Sequence, residues 1–141
     1  MPSSDLSELA TQVRLTCQRI SRRVRFEGTH EVAPHQFSVM ARLADTGDQT
    51  PTQIAEVERV STPSITRTLN CLQDSGIITR TPHPTDGRQV MVSLTDEGRA
   101  IVLRTRRRRD SWMAERLATL DDDQLGIVRQ AIEILAEVAS K

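Results

Sequence analysis

The sequence is short of aromatic residues, with no tyrosine, two phenylalanines and one tryptophan among 141 residues. A site lined by aromatic rings would have only Phe26, Phe37 and Trp112 to draw on. Cysteine is equally scarce. Cys17 and Cys71 lie far apart and match no metal or redox spacing, which excludes a disulfide framework. Two readings of them stand: reduced thiols partly buried in helical patterns, or a redox sensor. No apolar run approaches the ~20 residues of a transmembrane helix. The opening MPSSDLSELATQVR lacks a basic segment followed by an apolar one, so a cytoplasmic location is expected. There is no Gly-x-Ser-x-Gly, no phosphate-binding glycine loop and no His/Cys cluster. His30, His35 and His83 are scattered in loops or near helix starts. No catalytic residue, cofactor or metal ligand is expected.

What is present is arginine, unevenly placed. Lys141 is the only lysine, and net charge is zero. Residues 1–58 carry six Arg against eight acids, residues 59–109 ten Arg against four, and residues 110–141 three basic residues against seven acids. The middle third is therefore strongly positive between acidic flanks and is where a polyanion is attracted. Arginine forks suit phosphates and guanine edges. A chain of this length is most simply one domain, residues 1–141.

The apolar pattern is mainly helical. Leu6, Leu9, Val13, Cys17, Ile20 and Val24 make one stripe over 6–26, with Gly28 as its expected stop. A second helix is expected from Pro34, carrying Phe37, Met40, Ala41 and Leu43 to Gly47. Thr50-Pro51-Thr52-Gln53 opens a third with a capping box, and Ile54, Ala55 and Val57 are its expected inner face. Glu58 to Ser61 make a turn, and a fourth helix runs from Thr62-Pro63 to about Ser75, with Ile65, Leu69 and Leu72 inward. Two helices joined this tightly must cross steeply, as in a helix-turn-helix. Strands are expected at 77–81 and 89–94, joined by PHPTDGR with its Asp86-Gly87 turn signal. Thr95-Asp96-Glu97 caps a long helix through Ile101, Trp112, Met113 and Leu117. Asp121 to Gln124 is another capping box, before a helix with Leu125, Val128, Ile132 and Leu135 on one seam. The fold class expected is mainly α with a small β-hairpin wing. A winged helix-turn-helix region over 34–98 is flanked by a helical region over 1–28 and 99–141.

This order places candidate DNA contacts. With Leu69 and Leu72 inward, Thr62, Pro63, Ser64, Thr66, Arg67 and Asn70 face outward. Small polar residues let a helix backbone approach base edges, and Arg67 supplies a long donor. Arg88 sits just past the hairpin tip, placed for a narrow minor groove, with Asp86 positioned to orient it. Arg80, on the first strand, completes the set. The run Arg106 to Arg109, with Arg104, cannot form one helical stripe; an Arg106–Asp110 pair on a solvated helix explains it as well as a phosphate role does.

The stretch TPTQIAEVERVSTPSITRTLNCLQDSGIITRTPHPTDGRQVMVSLTDEG resembles the MarR family of bacterial transcriptional regulators. The shared marks are LQDSG, IITR, the Asp-x-Arg of Asp86 and Arg88, and LTDEG. Gly87 stands where that family often has a second Arg, which implies fewer wing contacts. The resemblance implies a repressor acting as a homodimer on double-stranded DNA. It also implies release by a small aromatic or lipophilic effector, with no membrane role. Two-fold symmetry implies an inverted repeat with half-sites ~34–36 Å apart. The apolar stripes at 6–24 and 125–135 favour the dimer independently, since a small winged domain cannot cover them. An effector pocket is expected where the first, second and fifth helices meet, with Phe26, Phe37, Met40 and Trp112 as candidates beside a plain packing role. Two alternatives remain: thiol-based sensing through Cys17 or Cys71, for which LTCQRI does not match the usual apolar and aromatic context, and a winged helix used for protein contact.

Overall fold

The computed structural model describes residues 3–28 and 30–141. Six helices and one hairpin follow in the order α1 (Ser3–Arg25), α2 (Pro34–Thr46), α3 (Pro51–Glu58), α4 (Thr62–Asp74), β1 (Ile78–Pro82), β2 (Val90–Leu94), α5 (Asp96–Leu117) and α6 (Asp122–Ala139). The strands pair antiparallel from Ile78 opposite Leu94 to Pro82 opposite Val90. Gln49, just before α3, adds a one-residue third edge to this hairpin. Its N–H donates to the Val92 carbonyl at 3.2 Å and its carbonyl accepts from Val92 N–H at 2.7 Å. A single residue carries no strand periodicity, so no pattern in the sequence announces it.

The core lies in the middle of the chain. Met40, Ile54, Leu69, Leu72, Ile78 and Val92 are among its fully enclosed side chains, with Ile101 and Val102 of α5 closing it from behind. Truncating one such aliphatic residue to alanine typically costs about 2–5 kcal/mol. α1 and α6 contribute no buried residue. Most of the α1 stripe stands in solvent, with Leu6 60% exposed, whereas on the α6 seam Ile132 is 60% exposed and Leu125, Val128 and Leu135 are half-buried.

Several local expectations are corrected. α1 starts at Ser3 and ends at Arg25. Gly28 does not cap it but sits against α5, where a methyl group would fall 2.9 Å from Thr105 Cγ2. Val57 is exposed and does not form part of the inner face of α3, which is too short to bury a third apolar position. Glu58 remains helical and anchors α3 to α2, accepting from Ser38 Oγ at 2.9 Å and Arg42 Nε at 3.3 Å. β1 begins at Ile78, because the Ile77 N–H turns back to the Leu72 carbonyl at 2.9 Å. β2 begins at Val90, because the Gln89 N–H closes the hairpin tip on the Asp86 carbonyl at 3.0 Å. Both cysteines are exposed, not partly buried.

The arginine run has a structural task. Arg106 reaches Asp45 of α2 at 2.9 Å rather than pairing with Asp110. Arg104 meets Glu31 at 2.9 Å and Glu97 at 3.6 Å. Arg108 donates to the Gly28 carbonyl at 3.4 Å. Arg109 donates to the carbonyls of Glu27 and Arg25, each at 3.1 Å, and lies over the Phe37 ring at 4.3 Å. Burial, and then the charge of Arg25, lower the pKa of Arg109 from the usual arginine value. Half-exposed ion pairs are individually worth about 0–1 kcal/mol. Acting together, these side chains fix the end of α1, the segment after it and the last turn of α2 onto α5. Pointing in several directions round the helix, which rules out one DNA-facing stripe, is what lets them grip several partners.

The hairpin is joined to α5 by close backbone approach. A β-carbon on Gly98 would lie 2.4 Å from the Ile77 carbonyl oxygen. Gly98→Ala is expected to destabilise the fold by about 1–3 kcal/mol through this overlap. Thermal unfolding checks it, and an unchanged midpoint would show that α5 shifts freely on the hairpin.

Candidate nucleic-acid interface

The surface built by α3, α4 and the hairpin depends on how sharply the chain turns between them. Thr50 caps α3: its Oγ1 accepts from Gln53 N–H at 3.2 Å, and Gln53 Oε1 accepts from Thr50 N–H at 2.9 Å. Such a cap typically contributes about 1 kcal/mol. Arg59 ends the helix in the left-handed region at φ 54°, and Val60 N–H returns to the Ala55 carbonyl at 3.1 Å. Ser61 then caps α4, accepting from Ser64 N–H at 3.3 Å. Three residues thus separate the helices, and the second starts with Pro63 in its first turn, where no amide donor is needed.

α4 buries Ile65, Leu69 and Leu72 and leaves Thr62, Pro63, Thr66, Arg67 and Asn70 exposed. Ser64 is only half-exposed and its hydroxyl accepts from Ser61 Oγ at 3.0 Å. Thr66 Oγ1 donates to the Thr62 carbonyl at 2.9 Å, holding its methyl in a fixed place. Arg67 has no hydrogen-bond or ion-pair partner among the described residues, so its guanidinium is available to a ligand.

The hairpin tip is organised by two side chains. His83 Nδ1 accepts from the N–H groups of Thr85 at 3.2 Å and Asp86 at 3.0 Å, which places the neutral ring's proton on Nε2. Asp86 Oδ1 accepts from Arg88 N–H at 3.1 Å and Arg88 Nε at 3.4 Å, while Oδ2 accepts from Gln89 Nε2 at 3.3 Å. The Arg88 side chain is oriented at its Nε yet 94% exposed. Arg80 occupies a different position. It reaches from β1 across to α4, donating to Gln73 Oε1 and, at 3.0 Å, to Asn70 Oδ1.

The four effector-pocket candidates are not gathered in one place. Phe26, 67% exposed, and Phe37 line a cavity of about 180 Å³ together with Arg25, His30, Val32, Thr105 and Arg109. Met40 is fully enclosed in the core and does not line that cavity. Trp112 lies further along α5, with Arg116 stacked 3.5 Å from its ring, on a separate groove beside Arg107 and Arg108. Cys71 opens onto a shallow groove with His35, Arg67 and Thr68. Among the described residues no group of His, Cys, Asp and Glu side chains could hold a metal ion, and no helix is long and apolar enough to cross a membrane.

Residues 32–90, spanning α2 to the start of β2, match the model of the MarR family. An HTH-type transcriptional regulator of Mycobacterium tuberculosis is 42% identical over 130 residues, covering 92% of this chain and 91% of that protein. The chain belongs to the MarR family. It is accordingly a DNA-binding transcriptional regulator, in a family of regulators and not of enzymes. The multiple antibiotic resistance protein MarR of Salmonella typhimurium is 37% identical over 71 residues, half of this chain and 49% of that one. Among solved structures, a MarR family protein from Bacillus stearothermophilus superposes with a TM-score of 0.79 at 18% identity, covering 100% of this chain and 99% of that one. A mutant MarR from E. coli, solved with operator DNA, superposes with a TM-score of 0.63 at 22% identity, covering 93% and 95%.

Within this MarR fold, two residues that shape the surface escape a sequence reading. His83 reads as a scattered loop histidine, although its position three residues before Asp86 is the spacing of a side-chain-closed turn. Gln73 reads as part of a helix end, although it lies three residues after Asn70 on the same face. Arg88→Ala is expected to weaken DNA binding by about 1–3 kcal/mol. Because the Arg88 side chain itself is almost fully exposed, the thermal midpoint should stay put. Anisotropy titration and a melting curve on the same variant check both halves.

Proposed function

We propose that this MarR-family chain is a sequence-specific repressor that binds an inverted-repeat operator as a homodimer. One observation carries the reading: α4 presents a short polar face and a free Arg67, next to a hairpin that holds Arg88 out into solvent. α4 enters the major groove with Thr62, Pro63, Ser64, Thr66, Arg67 and Asn70 toward the bases, and the wing lays Arg88 along the minor groove. Arg80 supports this surface from behind. Residues 34–98 form the DNA-binding region, and residues 1–28 and 99–141 the dimerising one.

Exposed apolar residues on the two terminal helices support the dimer. Leu6, Leu9 and Ile20 of α1, and Ile127, Ile132, Ile134 and Val138 of α6, are all exposed in one subunit. Exposed apolar area of this extent marks an interaction surface, and a two-fold pairing covers both stripes at once. An effector site is placed at the cavity of Phe26, Phe37 and Arg109, at the join between the two regions. The operator complex of the E. coli MarR mutant and the structure of the Streptomyces coelicolor regulator PcaV with its natural ligand, which has a TM-score of 0.58, support these assignments by likeness of fold.

The test is anisotropy binding to duplex DNA from upstream of the chain's own gene, with scrambled duplex as competitor. Specific binding resists the competitor, and a dimer with ~6–10 phosphate contacts loses about 10³–10⁵ in affinity between ~50 and ~200 mM salt. Equal displacement by both duplexes would remove sequence specificity from the reading. Ile132→Glu should give a monomer in sedimentation and lose most operator affinity; a dimer that persists would place the subunit contact elsewhere.

A further inference from the structure

We infer that Arg80 is a positioning residue that fixes which end of the Asn70 amide faces DNA, making Asn70 a donor-only reader that selects guanine over adenine. The inference rests on the placement of α4 in the major groove. Its observation is the single guanidinium that joins β1 to two amides of α4, at Asn70 Oδ1 and Gln73 Oε1.

An asparagine amide has an accepting and a donating end, and which end faces a neighbour is set by that neighbour. Here the neighbour decides the matter, because guanidinium has five N–H donors and no acceptor. Only Oδ1 can face it. Gln73, three residues on and on the same side of the helix, is turned the same way by the same group. The guanidinium is itself anchored. Arg80 stands opposite Val92 in the hairpin, and Val92 is fully buried, so the arginine stem rises from the inner face of the hairpin against α4. The Asn70 Nδ2 group is left pointing away from the guanidinium, with two protons to give.

That orientation has a consequence for base reading. The familiar asparagine contact to adenine needs both ends of the amide, Oδ1 accepting from N6 and Nδ2 donating to N7. With Oδ1 turned to Arg80, the amide end left toward the bases is Nδ2, and the accepting half of that contact is aimed away from adenine. Guanine offers two acceptors, O6 and N7, to a donor-only group, against the single acceptors N7 of adenine and O4 of thymine, while the N4 amino group of cytosine opposes it. The base pair beneath Asn70 is therefore read as guanine, and the residue that chooses it is on the wing, never touching the base. Release of the amide returns it to the two-ended mode that adenine satisfies.

The experiment is selection from random duplex DNA by the full chain and three variants, read as base frequencies at each position, with thermal midpoints measured alongside. Asn70→Ala identifies the position by flattening it. The wild-type chain should show guanine there, and Arg80→Met should shift the guanine-to-adenine ratio at that position by roughly tenfold while leaving other positions in place. Arg80→Lys, which keeps a donor near Oδ1, should retain guanine. Adenine in the wild-type selection overturns the inference without any variant. An Arg80→Met profile that keeps guanine while Asn70→Ala loses it reduces Arg80 to a structural brace. If Asn70→Ala changes no position, the placement of α4 against the bases fails, and the inference with it.

Discussion

The junction at Thr95 holds this molecule together. Its N–H donates to the Ile77 carbonyl at 3.0 Å, its hydroxyl lies 2.7 Å from the Gly76 carbonyl, and its Oγ1 accepts from Gly98 N–H at 3.1 Å. One residue thus ends β2, starts α5 and grips the exit of α4. The macrodipole of α5 is met there by Asp96 and Glu97 in its first turn. Gly98 completes the junction by omission, since any side chain would strike Ile77. The wing, the helix before it and the helix after it are consequently fixed to a common point, and the angle between α4 and the hairpin is set by covalent geometry and three hydrogen bonds instead of by side-chain packing alone.

A second constraint works at the other end of α5. The arginines of its middle turns collect Glu31, Asp45 and three backbone carbonyls around the end of α1. α1 has no buried residue of its own, so these contacts determine where it sits. Carbonyl acceptors at the end of a helix are otherwise unsatisfied; Arg109 supplies the Arg25 carbonyl, in the last turn of α1, with a donor, and a charged one. The cavity of Phe26 and Phe37 opens beside the same guanidinium. Packing, capping and the cavity wall thus share one side chain, and a change at Arg109 would be felt in all three.

The order of elements was legible because each boundary is marked by local chemistry. Thr50 with Gln53 and Asp121 with Gln124 are capping boxes in the structure as in the sequence, and Asp86-Gly87 lies in the hairpin loop. The inward residues of α4 were legible for the same reason, since a periodicity of three and four has only one buried face. What was not legible depends on partners remote in sequence. Spacing offers Arg106 a partner in Asp110, four residues on, but Asp45 of another helix holds it. Val57 has the right spacing for a core position, but α3 ends before another element can cover it. Met40 is large and apolar, which suits a pocket wall and a core equally, and it is core. A thiol within a helical pattern reads as partly buried, yet α4 turns Cys71 outward next to the polar face. Spacing reveals which residues share a face; it does not reveal what lies opposite.

The length of α5 gives this architecture a mechanical property. It is a single helix of 22 residues, about 33 Å from end to end at a rise of ~1.5 Å per residue. A tilt of about 5° at one end moves the other by about 3 Å, close to the ~3.4 Å rise between successive base pairs along one strand. The helix starts at the base of the wing and ends at the join to α6. A tilt of that size at one end would therefore displace the other by about the length of one base-pair step, although it is small beside the angles at which helices pack.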